Sequence, residues 1–260
     1  MNILNEIAVR TQERINEKKK SIPLEKIKET AEQLIINQNF PFEKALRKDD
    51  IAFICEIKKA SPSKGIIAKD FPYLNIAKEY ETAGAAAISI LTEPFYFMGH
   101  DTYLREIANE VSLPLLRKDF TVDSYMIYEA KLLGASAVLL ICSILDPDTL
   151  GEYVSLAHSI GLSALVEAHS EEEVHMALKA GARIIGVNNR DLKTFEIDMT
   201  LSARLRKLVP SNIIFVSESG IKTPEDVAKM REIGADAVLI GETIMRSGNK
   251  HGEIQHLRGT

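Results

Sequence analysis

The feature that most constrains this chain is a junction that occurs four times: a stretch of helical pattern closes on a glycine, and a short apolar run follows. It appears as AGAAAISIL from Ala83, LGASAVLLI from Leu133, AGARIIGV from Ala180 and IGADAVLIG from Ile233. The glycines, Gly84, Gly134, Gly181 and Gly234, stand 50, 47 and 53 residues apart. Glycine suits the left-handed residue that ends a helix. Each run after it is short, unalternating and rich in small and β-branched side chains. Such runs read as strands buried on both faces, the mark of a parallel sheet.

Midway between the junctions lie four more apolar runs: IAFICEI from Ile51, LPLLRK from Leu113, LSALVEA from Leu162 and NIIFVSE from Asn212. Interleaved, the two sets predict eight strands with amphipathic segments between them. Helix starts are marked by Asp146-Pro147 and Thr223-Pro224, a capping side chain before proline, and by Ser170 with Glu173, a capping box. An α/β chain of this kind could be doubly wound or closed. The near-even fourfold period favours a single (β/α)8 TIM barrel, and 260 residues suit one barrel, though two ordinary domains would also fit.

Residues 1–48 precede the first strand, with helical patterns near 3–20 and 23–36, then a polar linker and Phe40-Pro41-Phe42. The segment is too short to bury a core of its own. We therefore expect one domain over 1–260, with 1–48 as an N-terminal helical extension capping the barrel.

Composition serves mainly to exclude. With 45% hydrophobic and 27% charged residues the chain reads as globular, and no apolar run approaches the ~20 residues that cross a bilayer. The opening MNILNEIAVRTQERINEKKK is charged and includes acidic residues, unlike a signal or transit peptide, so a cytoplasmic protein is expected. A net charge of −5 gives no reason to expect nucleic acid or an anionic membrane as partner. Cys55 and Cys142 lie in apolar runs and read as buried thiols. The six histidines show no metal-ligand spacing, so no metal is expected.

Chemistry in such a barrel sits at the C-terminal strand ends. Those positions hold Glu56 and Lys58 (strand 1), Lys118 (strand 3), Glu167 (strand 5), Asn188 with Arg190 beyond it (strand 6), Glu218-Ser219-Gly220 (strand 7) and Gly241 (strand 8). One charge past a buried strand is ordinarily solvated. So many converging on one rim point to an active site. Ser219, Gly220 and Gly241, with the short helical segment opening at Glu242, match the anion site common in these barrels. The Glu242 carboxylate would then have to turn away from an anion held by its own N–H. The basic loop KKASPSKG would add Lys58 and Ser61 to anion binding. Lys58 and Lys118 beside Glu56, Glu167 and Glu218 form a second, acid–base sub-site with coupled proton affinities; structural salt bridges are the plainer alternative for any one pair.

With those residues laid out, CEIKKASPSKG, LTEPFYFMG, LLRKDF, VEAHSEEEV, GVNNRDL, VSESGI and LIGETIMR, in this order, resemble the strand-end motifs of indole-3-glycerol phosphate synthases. The resemblance covers nearly the whole chain, including ILNEIAVRTQERI. It implies conversion of 1-(2-carboxyphenylamino)-1-deoxyribulose 5-phosphate to indole-3-glycerol phosphate, with loss of carbon dioxide and water and no cofactor. It also implies roles. Lys118 would protonate the ketone oxygen as the ring carbon attacks. Glu167 and Glu56 would serve the later proton transfers, with Lys58 assisting dehydration and contacting the anions. Asn188, Arg190, Glu218 and Ser219 would orient the carboxylate and sugar hydroxyls. Phosphate would sit on Ser219, Gly220, Gly241 and the Glu242 amide. Phe97, Phe120 and Leu139 would wall the aromatic ring; by composition alone each is ordinary core. Other enzymes of the tryptophan pathway are candidate partners.

Two departures stand out. Met98 occupies a place where the family often carries a polar residue, and Phe95-Tyr96-Phe97 is unusually aromatic. With the chain ending at Thr260, the isomerase barrel sometimes fused to this enzyme is not expected. Two other functions compete: an aldolase-type barrel in which Lys118 forms a Schiff base with a phosphorylated ketose, and a non-catalytic phosphate-binding barrel.

Overall fold

The extension that precedes the strands wraps the molecule from one end to the other. In the computed structural model, which describes residues 3–36, 38–191 and 194–259, it forms α1 (Ile3–Ser21), α2 (Leu24–Glu32) and α3 (Pro41–Leu46). Leu192, the last residue of the GVNNRDL motif, lies outside the described residues, as do Met1 and Asn2. The second helix is shorter than the predicted 23–36: Leu34, Ile35 and Ile36 are exposed, so no buried face carries the helix past Glu32. The third helix begins in the segment Phe40-Pro41-Phe42, for which the sequence pattern gives no element. Pro41 in its first turn and Phe42 with Leu46 on one face explain it, and both apolar side chains are fully buried.

Every predicted strand is present: β1 (Ala52–Ile57), β2 (Ala87–Leu91), β3 (Leu115–Lys118), β4 (Ala137–Ile141), β5 (Ser163–Ala168), β6 (Ile184–Asn188), β7 (Ile214–Glu218) and β8 (Ala237–Ile240). Each pairs in parallel with the next, and β8 returns to β1 with Ala52 opposite Ala237 and Cys55 opposite Ile240. The sheet is closed, which sets the doubly wound alternative aside. Along each strand one set of side chains fills the barrel, for example Ile54, Leu116, Leu165 and Val216. The alternate set, among them Phe53, Cys55, Ile88, Val166 and Phe215, meets the helices outside. Burial on both faces explains the unalternating runs. Cys55 and Cys142 are free and buried.

Between strands run α4 (Tyr73–Thr82), α5 (Asp101–Ala108), α6 (Ser124–Leu132), α7 (Pro147–Ser159), α8 (Glu171–Lys179), α9 (Thr200–Arg206) and α10 (Pro224–Glu232), with α11 (Glu242–Arg246) and α12 (Lys250–Arg258) after β8. The four junction glycines have φ between +76° and +87°, as the left-handed helix end requires. Asp146 accepts the N–H groups of Asp148 and Thr149. Thr223 and Asp226 form a full reciprocal box. At Ser170 the expected box is only half made: the hydroxyl accepts Glu173 N–H, but the Glu173 carboxylate takes the N–H of His169, one residue upstream, at 2.6 Å. The His169 ring lies there as well, 3.5 Å away, and draws the carboxylate back.

The extension reaches both ends of the barrel. Leu4 and Ile7 of α1 are buried in one cluster with Phe120 and Leu139 at the mouth. The basic face of α1 docks on an acidic collar: Arg14 pairs with Asp119 at 2.9 Å, Lys18 with Asp101 and Glu129, and Lys19 with Asp123. α2 lies along α6. At the opposite end α3 packs on β1 and β2, its Phe42 and Leu46 clustered with Ala52, Ile184, Ile214 and Ala237.

Candidate active site

The C-terminal strand ends ring a cavity of about 440 Å³. The residues singled out from the strand ends and their loops line it, Glu56, Lys58, Ser61, Lys118, Glu167, Asn188, Arg190, Glu218, Ser219, Gly220, Gly241 and Glu242, and so do Phe97, Phe120 and Leu139, which the resemblance implied. They divide into a charged side, a glycine-rich rim and an apolar wall.

On the charged side, Lys118 at the end of β3 reaches across the barrel. Its Nζ lies 3.1 Å from Glu167 Oε2 on β5 and 3.5 Å from Glu218 Oε2 on β7. Lys58 pairs directly with Glu56 beside it. Burial alone would push Lys118 down, but the carboxylates of Glu167, Glu218 and Glu56 outweigh it and hold the amine protonated well above its ordinary range. The same burial would raise Glu167. Lys118, His169 and a hydrogen bond from Asn188 overcome it, keeping this carboxyl below its ordinary range. Glu218 goes the other way, pushed up to about 8 by burial and by Glu167 and Glu56, with Lys118 only partly offsetting. Its Oε1 is buried without a hydrogen-bond partner. Two carboxyls on either side of one ammonium are thus driven apart, one held toward its ionised form and one pushed toward its protonated form. Room for the second comes from Gly186 on β6, where any Cβ would overlap the Glu218 carboxyl.

The rim runs from Ser219 to Glu242. Ser219 adopts φ +64°, a conformation costly for a side chain with a Cβ, and Gly220 follows it. A Cβ on Gly241 would overlap the Glu56 carboxylate, so this glycine lets the Glu56–Lys58 pair sit against the rim. The Glu242 side chain pairs along its own helix, with Oε1 3.1 Å from Arg246 Nε, and lies 3.9 Å from Lys64. Asn188 accepts the N–H of Arg190, whose guanidinium donates to the Phe195 carbonyl.

Phe97 and Phe120 form the wall with ring centroids 6.0 Å apart, and Leu139 is buried behind them. Ile3, Leu4 and Ile7 of α1 complete it. Reading strand ends could not find these three, because they come from the far end of the sequence. Glu93 was missed as well. Fully buried, it accepts the N–H groups of Phe95, Tyr96 and Phe97 at 2.9, 2.7 and 3.0 Å and so shapes the loop that carries Phe97. Tyr96 donates to Glu6 at 2.6 Å, and Arg10 lies over the Phe95 and Tyr96 rings, which ties this aromatic loop to α1. Met98 sits at φ +52° and is exposed. Among the described residues, no group of three or more His, Cys, Asp and Glu side chains is placed to hold a metal, and no helix is long and apolar enough to cross a membrane.

A closed (β/α)8 barrel that gathers desolvated, oppositely charged side chains over its strand ends defines a barrel enzyme. The family model for indole-3-glycerol phosphate synthase matches residues 4–257. An indole-3-glycerol phosphate synthase of Ruminiclostridium cellulolyticum is 58% identical, covering 99% of both chains, and one of Lachnoclostridium phytofermentans is 51% identical, covering 98% of both. Among solved structures, a mutant tryptophan synthase alpha-subunit from Pyrococcus furiosus superposes with a TM-score of 0.62 over 81% of this chain and 99% of its own; at 17% identity that likeness speaks for the fold alone. The chain belongs to the indole-3-glycerol phosphate synthase family, the carboxy-lyases of tryptophan biosynthesis.

Proposed function

We propose that this chain closes the indole ring of 1-(2-carboxyphenylamino)-1-deoxyribulose 5-phosphate with Lys118 as general acid. The observation that supports this reading best is the Lys118 ammonium held between Glu167 and Glu218 in a cavity walled by Phe97, Phe120 and Leu139. As the ring carbon bearing the carboxylate bonds to the ketone carbon, negative charge builds on the ketone oxygen, and Lys118 gives it a proton. The attacking ring is then cationic and non-aromatic. Carbon dioxide leaves with its bonding electrons retained by the ring, and an apolar wall favours that loss of charge. The hydroxyl formed in the first step departs as water with a proton from Lys58. Glu167, backed by Glu56, takes a proton from the CH2 carbon beside the nitrogen, and the new five-membered ring becomes aromatic. Asn188, Arg190, Glu218 and Ser219 orient the carboxylate and sugar hydroxyls, with Ser61 near the anions. Phosphate rests on Ser219, Gly220, Gly241 and the Glu242 amide.

Residues 1–48 act in this reading as a helical extension of one barrel domain, its first helix completing the ring-binding wall. A biosynthetic reaction on a small phosphorylated substrate suits the cytoplasm, with other tryptophan-pathway enzymes as candidate partners. The Schiff-base alternative fits less well, because an imine-forming lysine must shed its proton and Lys118 is held charged, above all by Glu167, 3.1 Å away. Lys118→Met tests the proposal. Indole fluorescence, against a chain without tryptophan, should show turnover reduced by about 10²–10⁴-fold with folding intact. Retention of more than about a tenth of kcat would remove Lys118 from the acid role.

A further inference from the structure

His169, the residue after β5, takes no part in the steps above, yet it stands directly against one of their carboxylates. Its Nε2 lies 3.5 Å from Glu167 Oε1 and its Nδ1 lies 3.5 Å from Glu173 Oε2. The side chain is 18% exposed, and Nε2 itself is buried and makes no hydrogen bond, with the Glu167 carboxylate facing it. Buried ring nitrogens are seldom left idle, and an imidazole flanked by acceptors at both nitrogens has a defined orientation. The ring is held from behind as well. Glu173, in the first turn of α8, also accepts the His169 backbone N–H, so both ends of the residue are tied to one carboxylate.

The two oxygens of Glu167 therefore have separate neighbours: Oε2 faces Lys118 and Oε1 faces His169. A carboxylate that must exchange protons with a substrate gains from having its rotation about the last side-chain bond fixed. We propose that His169 is a positioning residue for Glu167, holding Oε1 through Nε2 so that Oε2 stays aimed at Lys118 and the cavity, with Glu173 as its anchor. The charged groups around the ring are Glu167, Glu173 and Glu218. Burial pushes the imidazole down, but these carboxylates outweigh it and raise His169 above its ordinary range, which favours the charged form of Glu167 in turn. The inference rests on the reading that Glu167 moves protons.

Two variants test it. His169→Phe keeps a ring and removes both nitrogens, while His169→Asn restores one donor. The Phe variant should lose about tenfold or more in kcat, since small misplacements of a reacting group are costly. Its KM should stay within about twofold. The acid limb of its kcat/KM profile should move to higher pH, because Glu167 loses a neighbour that favours ionisation. Asn should recover much of the lost kcat. A Phe variant with wild-type kcat and an unmoved acid limb overturns the proposal. So does an Asn variant no better than Phe with an equal loss of thermal stability, which would make the ring a space filler. Should the Phe variant fail to fold, Glu173→Gln weakens the anchor alone and must lower kcat, or the proposal fails. Glu167→Gln separates the layers. Its inactivity beside a fully active His169→Phe sinks only the positioning role, whereas activity in Glu167→Gln removes the proton-moving role and this inference with it.

Discussion

The two ends of the barrel are closed by the same N-terminal segment in opposite ways. At the mouth, α1 lays Leu4 and Ile7 over a chamber of desolvated charge and is fastened by ion pairs to Asp101, Asp119, Asp123 and Glu129. At the bottom, α3 inserts Phe42 and Leu46 into hydrocarbon, with Glu43 reaching Arg183 and Ser163 at the rim. Buried polar groups cost stability wherever they are incompletely matched, and Glu218 Oε1 has no hydrogen-bond partner. Packed hydrocarbon supplies stability without chemistry. The comparison teaches that the strain of function sits at one end while cohesion is secured at the other, as the two faces of such barrels lead one to expect.

That division can be broken by experiment. The largest effect should come from Glu167→Gln, which keeps shape and hydrogen bonding but cannot accept a proton. Activity should fall by about two orders of magnitude or more, with the melting temperature little changed and affinity for a substrate analogue retained. Substantial turnover would mean that Glu167 only holds Lys118 in place, and would shift the proton transfer to Glu56.

Phe42→Ala should do the reverse. Emptying a fully buried aromatic site costs about 3–5 kcal/mol, read as a lower denaturant midpoint, while kcat of the folded fraction stays near normal. A parallel loss of kcat would show that the bottom communicates with the mouth.

Arg14→Met should loosen α1 and leave buried Asp119 with only the Arg117 guanidinium, 3.6 Å away. KM should rise by about three- to tenfold, a ~1 kcal/mol effect, with a smaller change in kcat. An unchanged KM would show that the wall formed by Leu4 and Ile7 stays in place without that ion pair.

The smallest effect should be a slope. Glu218 titrates higher folded, near 8, than unfolded, near 4.5. Between those values the folded state binds the extra proton, so this group's contribution to stability is lost as pH rises through that window. Glu218→Gln, which cannot ionise, should therefore gain in melting temperature relative to wild type from pH 5 to pH 8. A constant difference across that range would show that Glu218 is not held protonated.

The barrel and its charged rim were legible because both are written in local patterns. Unalternating apolar runs, their glycine punctuation and the first charge beyond each run survive without coordinates. What was not legible depends on side chains meeting from distant segments. Glu93 looks like one more charge in LTEPFYFMG until the loop folds back and brings three N–H groups to it. Arg117, inside the run LLRK, points outward and is buried against Asp101, Glu129 and Thr92; a charge in the middle of a buried strand was a signal available for this network. Glu173 pairs with His169 rather than closing its helix cap, a preference that only the position of the imidazole explains.

The plug at the bottom also carries a consequence for synthesis. α3 is made before any strand it closes, and Ile214 and Ala237, which share its cluster, follow Phe42 by 172 and 195 residues. Until then Phe42 and Leu46 have no complete socket. Chains released early therefore carry a sticky helix with nowhere to bury it, and should bind hydrophobic dyes and recruit chaperones until β7 and β8 emerge.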